Sequence, residues 1–339
     1  MSPSPDLPAK APPGPVLVMG AGSVGCFVGG CLQAAGVRVD FVGRSHRLAA
    51  LQASGLQLTD QDGRDQRIPP ARLRLHGQVP AGLAPSLVLL CVKSGATADS
   101  ARELQERLPA GTTVLSLQNG MQNAQLASQA APGLNVMPGM VAFNVAHGPD
   151  GRFHRGTAGQ LAARDTPALR LWQPHFERAG LPLVLHTELR NVQWGKLLLN
   201  LNNPVNALSG LPLRAQLQDA ARRREFAGLV EEALDVMAHA GVRPARMTPL
   251  PWRLLVRVLR WPTPVFKVVA RRMLRMDHLA RSSMADDLAH GRPTEIDELC
   301  GEVVRLAGTV DRPAPLNSAM VTRIHSIKTA HMPPVTQPS

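Results

Sequence analysis

Over its first half the chain alternates short, wholly apolar runs with stretches of helical periodicity. Val16-Leu17-Val18-Met19 is an uninterrupted apolar run, as a parallel strand covered on both faces requires. Gly20-Ala21-Gly22-Ser23-Val24-Gly25 follows directly, and a helical pattern then runs to Gly36, a residue suited to a helix stop. Residues 37–42 are a second β-rich run, so the start of the chain predicts a strand–helix–strand unit. Residues 87–92 and 112–117 predict two more buried strands. Each ends in polar residues, Lys93 and Gln118-Asn119-Gly120, where open α/β sheets bind ligands. Residues 136–143 and 183–185 predict further strands.

After about His186 the pattern changes. β-branched runs disappear, and helices are predicted over 191–201, 220–241, 254–273, 281–290 and 295–308. The fold class this implies is α/β: a Rossmann-type, doubly wound parallel sheet in a dinucleotide-binding domain over 15–187, then an all-helical substrate domain over 188–328. Pro- and Ser-rich residues 1–14 read as a disordered tail, and 329–339 as a second loose tail. No apolar run reaches the roughly 18 residues of a spanning helix. The first residues lack the charged start and apolar core of a signal peptide, so a cytoplasmic location is expected.

Composition narrows the partners. The 339 residues carry a formal net charge of +12, yet aromatics are only 3% and Tyr is absent. Scarce aromatics argue against a base-stacking surface, so no nucleic acid partner is expected. A positive field also suits a phosphate-rich small ligand. The four cysteines, Cys26, Cys31, Cys91 and Cys300, form neither a C-x-x-C pair nor a zinc spacing. They read as small buried hydrophobes, and no metal is expected.

Gly20, Gly22 and Gly25 give G-x-G-x-x-G. The first glycine permits the tight turn, the second lets the backbone approach a pyrophosphate, and the third allows close helix–strand packing. The intervening Ala21, Ser23 and Val24 complete the loop, whose amides open a helix and face the phosphates. Asp40 stands about 20 residues beyond the first glycine, where an acid would bind the ribose of NAD. However, Phe41-Val42 follow it, which places Asp40 inside the strand. Gly43-Arg44 occupies the strand tip and Arg47 follows. A guanidinium there suits the 2′-phosphate of NADPH, the expected cofactor.

In the second half, Lys196, Asn200 and Asn203 are spaced i, i+4, i+7 and share one face of a predicted helix. Read alone, Lys196 is equally a surface residue and the asparagines a helix end before Pro204. In Thr294-Glu295-Ile296-Asp297, Thr294 reads as an N-cap with Glu295 just inside the helix.

Together these pieces resemble the ketopantoate reductase family, the 2-dehydropantoate 2-reductases of pantothenate synthesis. The resemblance rests on the glycine motif, Val92-Lys93, Gln118-Asn119-Gly120-Met121, Trp194-Gly195-Lys196-Leu197, Asn203-Pro204, Arg281-Ser282-Ser283-Met284 and Thr294-Glu295-Ile296-Asp297, in family order. It implies an NADPH-dependent reduction of 2-dehydropantoate (ketopantoate), with Lys196 as general acid and Glu295 holding Lys196 or the nascent hydroxyl. It further implies that Asn200, Asn203 and Ser283 position the substrate, that Lys93 and Asn119 lie at the cofactor–substrate junction, and that Arg44 meets the 2′-phosphate. The family places the second asparagine four residues past the first. Here Asn203 comes at three, with Asn202 and Asn206 as alternatives. Residues 242–277 form a basic stretch that reads as a helical insertion. A packed helix pair broken at Pro262 and Pro264 and an anionic membrane surface are its two readings. Other readings on the same fold are a reductase of another 2-oxo acid and a non-catalytic NADP-binding sensor. The oligomeric state, homodimer included, is left open.

Overall fold

The computed structural model describes residues 13–148, 150–271 and 280–330. The chain divides into two compact units. One joins the residues up to 118 with 124–187, and the other joins 119–123 with the residues from 188 onward.

The first unit is built on strands β1 (Val16–Met19), β2 (Val39–Val42), β3 (Leu56–Asp60), β4 (Asp65–Ile68), β5 (Arg74–His76), β6 (Leu87–Leu90), β7 (Thr113–Ser116), β8 (Asn135–Val141), β9 (Val145–His147), β10 (Arg152–Arg155), β11 (Leu161–Arg164) and β12 (Leu183–His186). Eight form one sheet in the order β12-β11-β8-β7-β6-β1-β2-β5. Every pairing in it is parallel except β8 with β11. Successive side chains point to opposite faces. Val16 and Val18 therefore enter one core with Leu87 and Leu89, while Leu17 and Met19 enter the other with Val88 and Leu90. This is why these strands read as continuous apolar runs. Helix α1 (Ser23–Ala34) covers the first face. Helices α3 (Thr97–Arg107) and α4 (Asn123–Ala130) cover the second, and α2 (Ser45–Ser54) follows β2. Two short helices, α5 (Pro167–Arg170) and α6 (Gln173–Arg178), precede β12.

Strand order reverses between β1 and β6, so a ligand crevice is expected beyond their carboxyl ends. A second sheet, β4-β3-β10-β9, was not expected from the sequence. Its strand β4 carries exposed Asp65, Gln66 and Arg67 and has no apolar alternation to betray it.

The second unit is helical: α7 (Leu189–Asn200), α8 (Asn202–Ser209), α9 (Leu213–Gln218), α10 (Ala220–His239), α11 (Trp252–Leu259), α12 (Thr263–Val269), α13 (Ser283–Ala289), α14 (Cys300–Thr309) and α15 (Pro315–Ala330). One core joins Trp194, Leu198, Phe226, Val230, Leu259 and Ile296. Arg223, fully buried, donates to the carbonyls of Leu217, Leu259 and Trp261 and stacks over Phe266 at 4.3 Å. It thereby ties α9, α11 and α12 to α10.

Several boundaries differ from expectation. The segment 254–273, read as helical with a break at Pro262 and Pro264, is two helices, α11 and α12, with Pro262 capping the second. Its last two residues, and 272–277 of the basic stretch, lie outside the described residues. The expected loose tail at 329–339 begins as helix, since α15 reaches Ala330, and 331–339 lie outside the described residues. Of the amino-terminal tail, only Pro13 and Gly14 are described. The helix predicted from 295 starts at Cys300.

Candidate active site

The glycine turn has three different needs. Gly20 takes φ +112°, and a Cβ there would sit 2.7 Å from the Val92 nitrogen, so position 20 is closed to other residues. A Cβ on Gly25 would fall 2.2 Å from the Gly20 oxygen. Gly22 is unlike both: nothing lies within 4 Å of its missing Cβ. The protein does not require glycine at 22, but a closely approaching ligand would. Gly22 also caps α1, which has no capping side chain and no acid in its first turn. The first amides of α1 are therefore available to an anion. The backbone nitrogens of Gly20 and Ala21 both donate to the Val42 carbonyl, at 3.0 and 2.9 Å, and tie the turn to the tip of β2.

At that tip, Asp40 lies inside β2 and is buried. Its Oδ1 is 2.8 Å from His76 Nε2, and Arg38 Nε stands 3.4 Å from Oδ2. It is a staple between β2 and β5, withdrawn from any ribose. Arg44 is exposed and caps α2. Among the described residues its guanidinium has no hydrogen-bonding or ionic partner. Lys93, also exposed, follows β6 and opens a short turn at Ser94–Ala96. Gln118, given no role of its own from the sequence, is buried and pins this region. Its Nε2 donates to the Val92 carbonyl at 2.9 Å and to the Thr97 hydroxyl at 2.6 Å.

In the second unit, Lys196 Nζ donates to Asn119 Oδ1 at 2.7 Å, and Asn119 Nδ2 donates to Glu295 Oε2 at 2.8 Å. Residues about a hundred positions apart thus form one hydrogen-bonded chain, with the Asn119 amide as the link. Asn119 was grouped by sequence with the cofactor residues; here both ends of its amide serve the Lys196–Glu295 pair. Burial lowers the Lys196 pKa to about 8, against the upward pull of the Glu295 carboxylate. The ammonium and neutral amine are therefore both accessible near neutral pH.

Glu295 reaches this position from a loop, and Thr294 is not an N-cap. Ile296 is buried, and its carbonyl accepts from the nitrogens of Leu299 and Gly301, so a tight turn precedes α14. Arg292 holds the loop from the other side, its Nε donating to Asp287 at 3.0 Å. The Thr294 hydroxyl beside Glu295 is buried without a partner among the described residues.

The shared face of Lys196, Asn200 and Asn203 is divided. Helix α7 ends at Asn200, and Asn203 lies on α8. Pro204 has no N–H for the Asn200 carbonyl and would clash with it in a continuous helix, hence the break at Leu201. Asn202 exchanges two amide hydrogen bonds with Gln216, at 3.1 and 3.0 Å. Asn206 donates to the Leu211 carbonyl at 2.8 Å and accepts from the Ser282 nitrogen at 2.9 Å. Both are committed to the fold. Asn200 and Asn203 are half-buried and, among the described residues, make no side-chain hydrogen bond. Ser283 is the exposed first residue of α13, whereas buried Ser282 caps that helix.

All four cysteines are unpaired and buried or half-buried. Burial pushes the thiols of Cys26 and Cys31 up to about 12, so they are inert at neutral pH. No group of residues able to hold a metal ion occurs among the described residues.

Residues 16–167 match the family model described as ketopantoate reductase PanE/ApbA, and residues 188–328 match that of the ketopantoate reductase C terminus. The chain belongs to the ketopantoate reductase family. It is thus an oxidoreductase of that family. A 2-dehydropantoate 2-reductase of Halobacterium salinarum is 28% identical over 309 residues, covering 89% of this chain and 94% of the relative. Another, from Mesorhizobium japonicum, is 25% identical over 92% of this chain and 97% of its own length. Among solved structures, a PanE/ApbA family ketopantoate reductase from Ralstonia eutropha superposes with a TM-score of 0.78 at 28% identity, covering 93% of this chain and 98% of that one. D-Mandelate dehydrogenase, solved with NADH and anilino(oxo)acetate, shares the ketopantoate reductase fold at a TM-score of 0.76 and 17% identity, covering 93% of this chain and 98% of its own.

Proposed function

We propose that this chain reduces 2-dehydropantoate to pantoate with NADPH, as a step of pantothenate biosynthesis, and that Lys196 is the general acid. The observation that carries this reading is the Lys196–Asn119–Glu295 hydrogen-bond chain, with the Lys196 pKa brought to about 8. A protein that only sensed NADP would need no such group.

The residues of the first unit fit a dinucleotide. Gly22 leaves open space, the first amides of α1 carry no cap, and Arg44, beyond β2, has no partner among the described residues. These would hold the pyrophosphate and the 2′-phosphate, with Lys93 nearer the reacting end. The cofactor supplies the hydride. As the substrate ketone gains it, negative charge grows on the carbonyl oxygen. The Lys196 ammonium stabilises that charge and gives the oxygen its proton. Lys196 is left as the neutral amine and regains a proton from solvent. Glu295, through Asn119, orients the amine and favours its charged form. Asn200 and Asn203, whose amides make no hydrogen bond among the described residues, would meet the substrate's carboxylate and hydroxyl, and Ser283 lies at the start of α13.

The division of the asparagine face at Leu201 favours a second reading, in which the preferred substrate is another 2-oxo acid. NADPH oxidation followed with ketopantoate, pyruvate and branched 2-oxo acids separates the two. Ketopantoate should give the highest kcat/KM. A higher value for another acid replaces the substrate but keeps the reaction, whereas tight NADPH binding without turnover of any acid returns the sensor reading.

A further inference from the structure

Helix α2 begins two residues past Gly43, at the point where the glycine turn and β2 meet. A Cβ on Gly43 would lie 2.7 Å from that of Ala21, so this start is packed against the glycine turn. Its first turn carries no acid. Arg44 and Arg47 are three apart, and the Arg47 nitrogen donates to the Arg44 carbonyl at 2.9 Å. Arg44 caps the helix in extended conformation and Arg47 lies in its first turn, so both side chains leave the chain at the start of α2. Among the described residues neither guanidinium has a carboxylate partner. Arg47 has one neutral contact, its Nη1 standing 3.2 Å from His147 Nδ1. The His147 ring packs on Phe153, with centroids 4.7 Å apart. For a guanidinium to donate there, Nδ1 must be unprotonated and the ring neutral. A carboxylate at this place would quench the charge of Arg47, whereas the imidazole orients the guanidinium and leaves its charge intact. Arg47 also lies close enough to α1 for its charge to act on the Cys26 thiol.

We propose that Arg47, oriented by His147, is a second cation for the 2′-phosphate of the cofactor, so that preference for NADPH over NADH is divided between Arg44 and Arg47. This rests on the NADPH reading given above. A 2′-phosphate is close to a dianion and offers three acceptor oxygens, more than one guanidinium engages. His147 comes from β9 of the small sheet. That sheet would therefore take part in cofactor choice, although no glycine or acid of the known fingerprint lies in it.

The test is calorimetric binding of adenosine 2′,5′-bisphosphate and of 5′-AMP, which differ only in the 2′-phosphate and need no turnover. Arg47→Gln should weaken the bisphosphate roughly 10- to 100-fold, the range for one charge-assisted hydrogen-bond contact, and leave 5′-AMP unchanged. Arg47→Lys should recover part of the loss, and His147→Phe should lose less than Arg47→Gln. A bisphosphate affinity unchanged in folded Arg47→Gln overturns the proposal. So does equal weakening for both ligands, which would make Arg47 structural or a general attractor of anions. If Arg44→Ala discriminates and Arg47→Gln does not, only this inference falls. If neither variant discriminates, the NADPH reading falls with it.

Discussion

Lys196 makes the sharpest demand of any residue. If it is the acid, Lys196→Ala should keep the fold and NADPH binding while turnover drops roughly 10²–10⁴-fold. Lys196→Arg should fail as well, because guanidinium holds its proton near neutral pH. The sign of the pH effect follows from the lowered pKa. The reducing reaction needs the ammonium, so kcat/KM should be level below about pH 8 and fall as pH rises through it. Oxidation of the alcohol needs the amine and should rise over the same interval. A pH profile whose limb survives in Lys196→Ala would assign the titration elsewhere. Gly22 gives an independent check on the cofactor. Its φ of −88° suits any residue and nothing lies near its missing Cβ. Gly22→Ala should leave stability unchanged or raise it by about 0.4–1 kcal/mol, yet weaken NADPH binding. Unfolding curves and a fluorescence titration read the two effects separately, and unchanged affinity would remove Gly22 from the phosphate cradle.

At the scale of elements, the ends of α8 and α13 are joined by one amide. Asn206 holds the carbonyl of exposed Leu211 and the nitrogen of buried Ser282. Asn206→Ala leaves the buried Ser282 nitrogen unsatisfied and should cost about 1–3 kcal/mol, measured by urea unfolding. A rise in KM without loss of stability would make Asn206 a substrate ligand instead. The resemblance implied a substrate asparagine here without fixing which one, because Asn200, Asn202, Asn203 and Asn206 differ in their partners rather than in type. The same limit explains the other differences. Strands β1 and β6 were legible because both faces are buried and every position is apolar, and β2 and β7 because each sends apolar residues into both cores. The small sheet was not, since β4 pairs with β3 through three exposed polar residues and buries only Ile68. Thr294-Glu295 carries the local signal of a helix start. It was overridden by burial of Ile296, a tertiary event that no short window of sequence contains. That Lys196 and Glu295 would share a site came from resemblance, and the Asn119 link between them came only from the fold.

For the molecule as a whole, the net charge of +12 is spread over surface arginines whose pairings are modest. Arg253 reaches Asp235 at 3.5 Å and Arg260 reaches Glu231 at 2.5 Å, all largely exposed. Exposed pairs of this kind contribute about 0–1 kcal/mol each. Neutralising Arg253, Arg257 and Arg260 together should therefore leave activity largely intact. No helix among the described residues is long and apolar enough to cross a membrane. Co-sedimentation with anionic vesicles at physiological salt would nonetheless reopen surface binding through α11 and α12. The division of the chain has its own consequence for dissection. Residues 119–123 are read in the middle of the first unit but belong to the second, so the chain leaves the first unit and returns to it. A fragment cut at residue 188 would carry Lys196 and Glu295 and lack the Asn119 amide that links them. The half before the cut keeps all of the first unit, whereas the half after it lacks part of the second. Supplying 119–123 on a redesigned linker is the minimum needed to study the second unit in isolation.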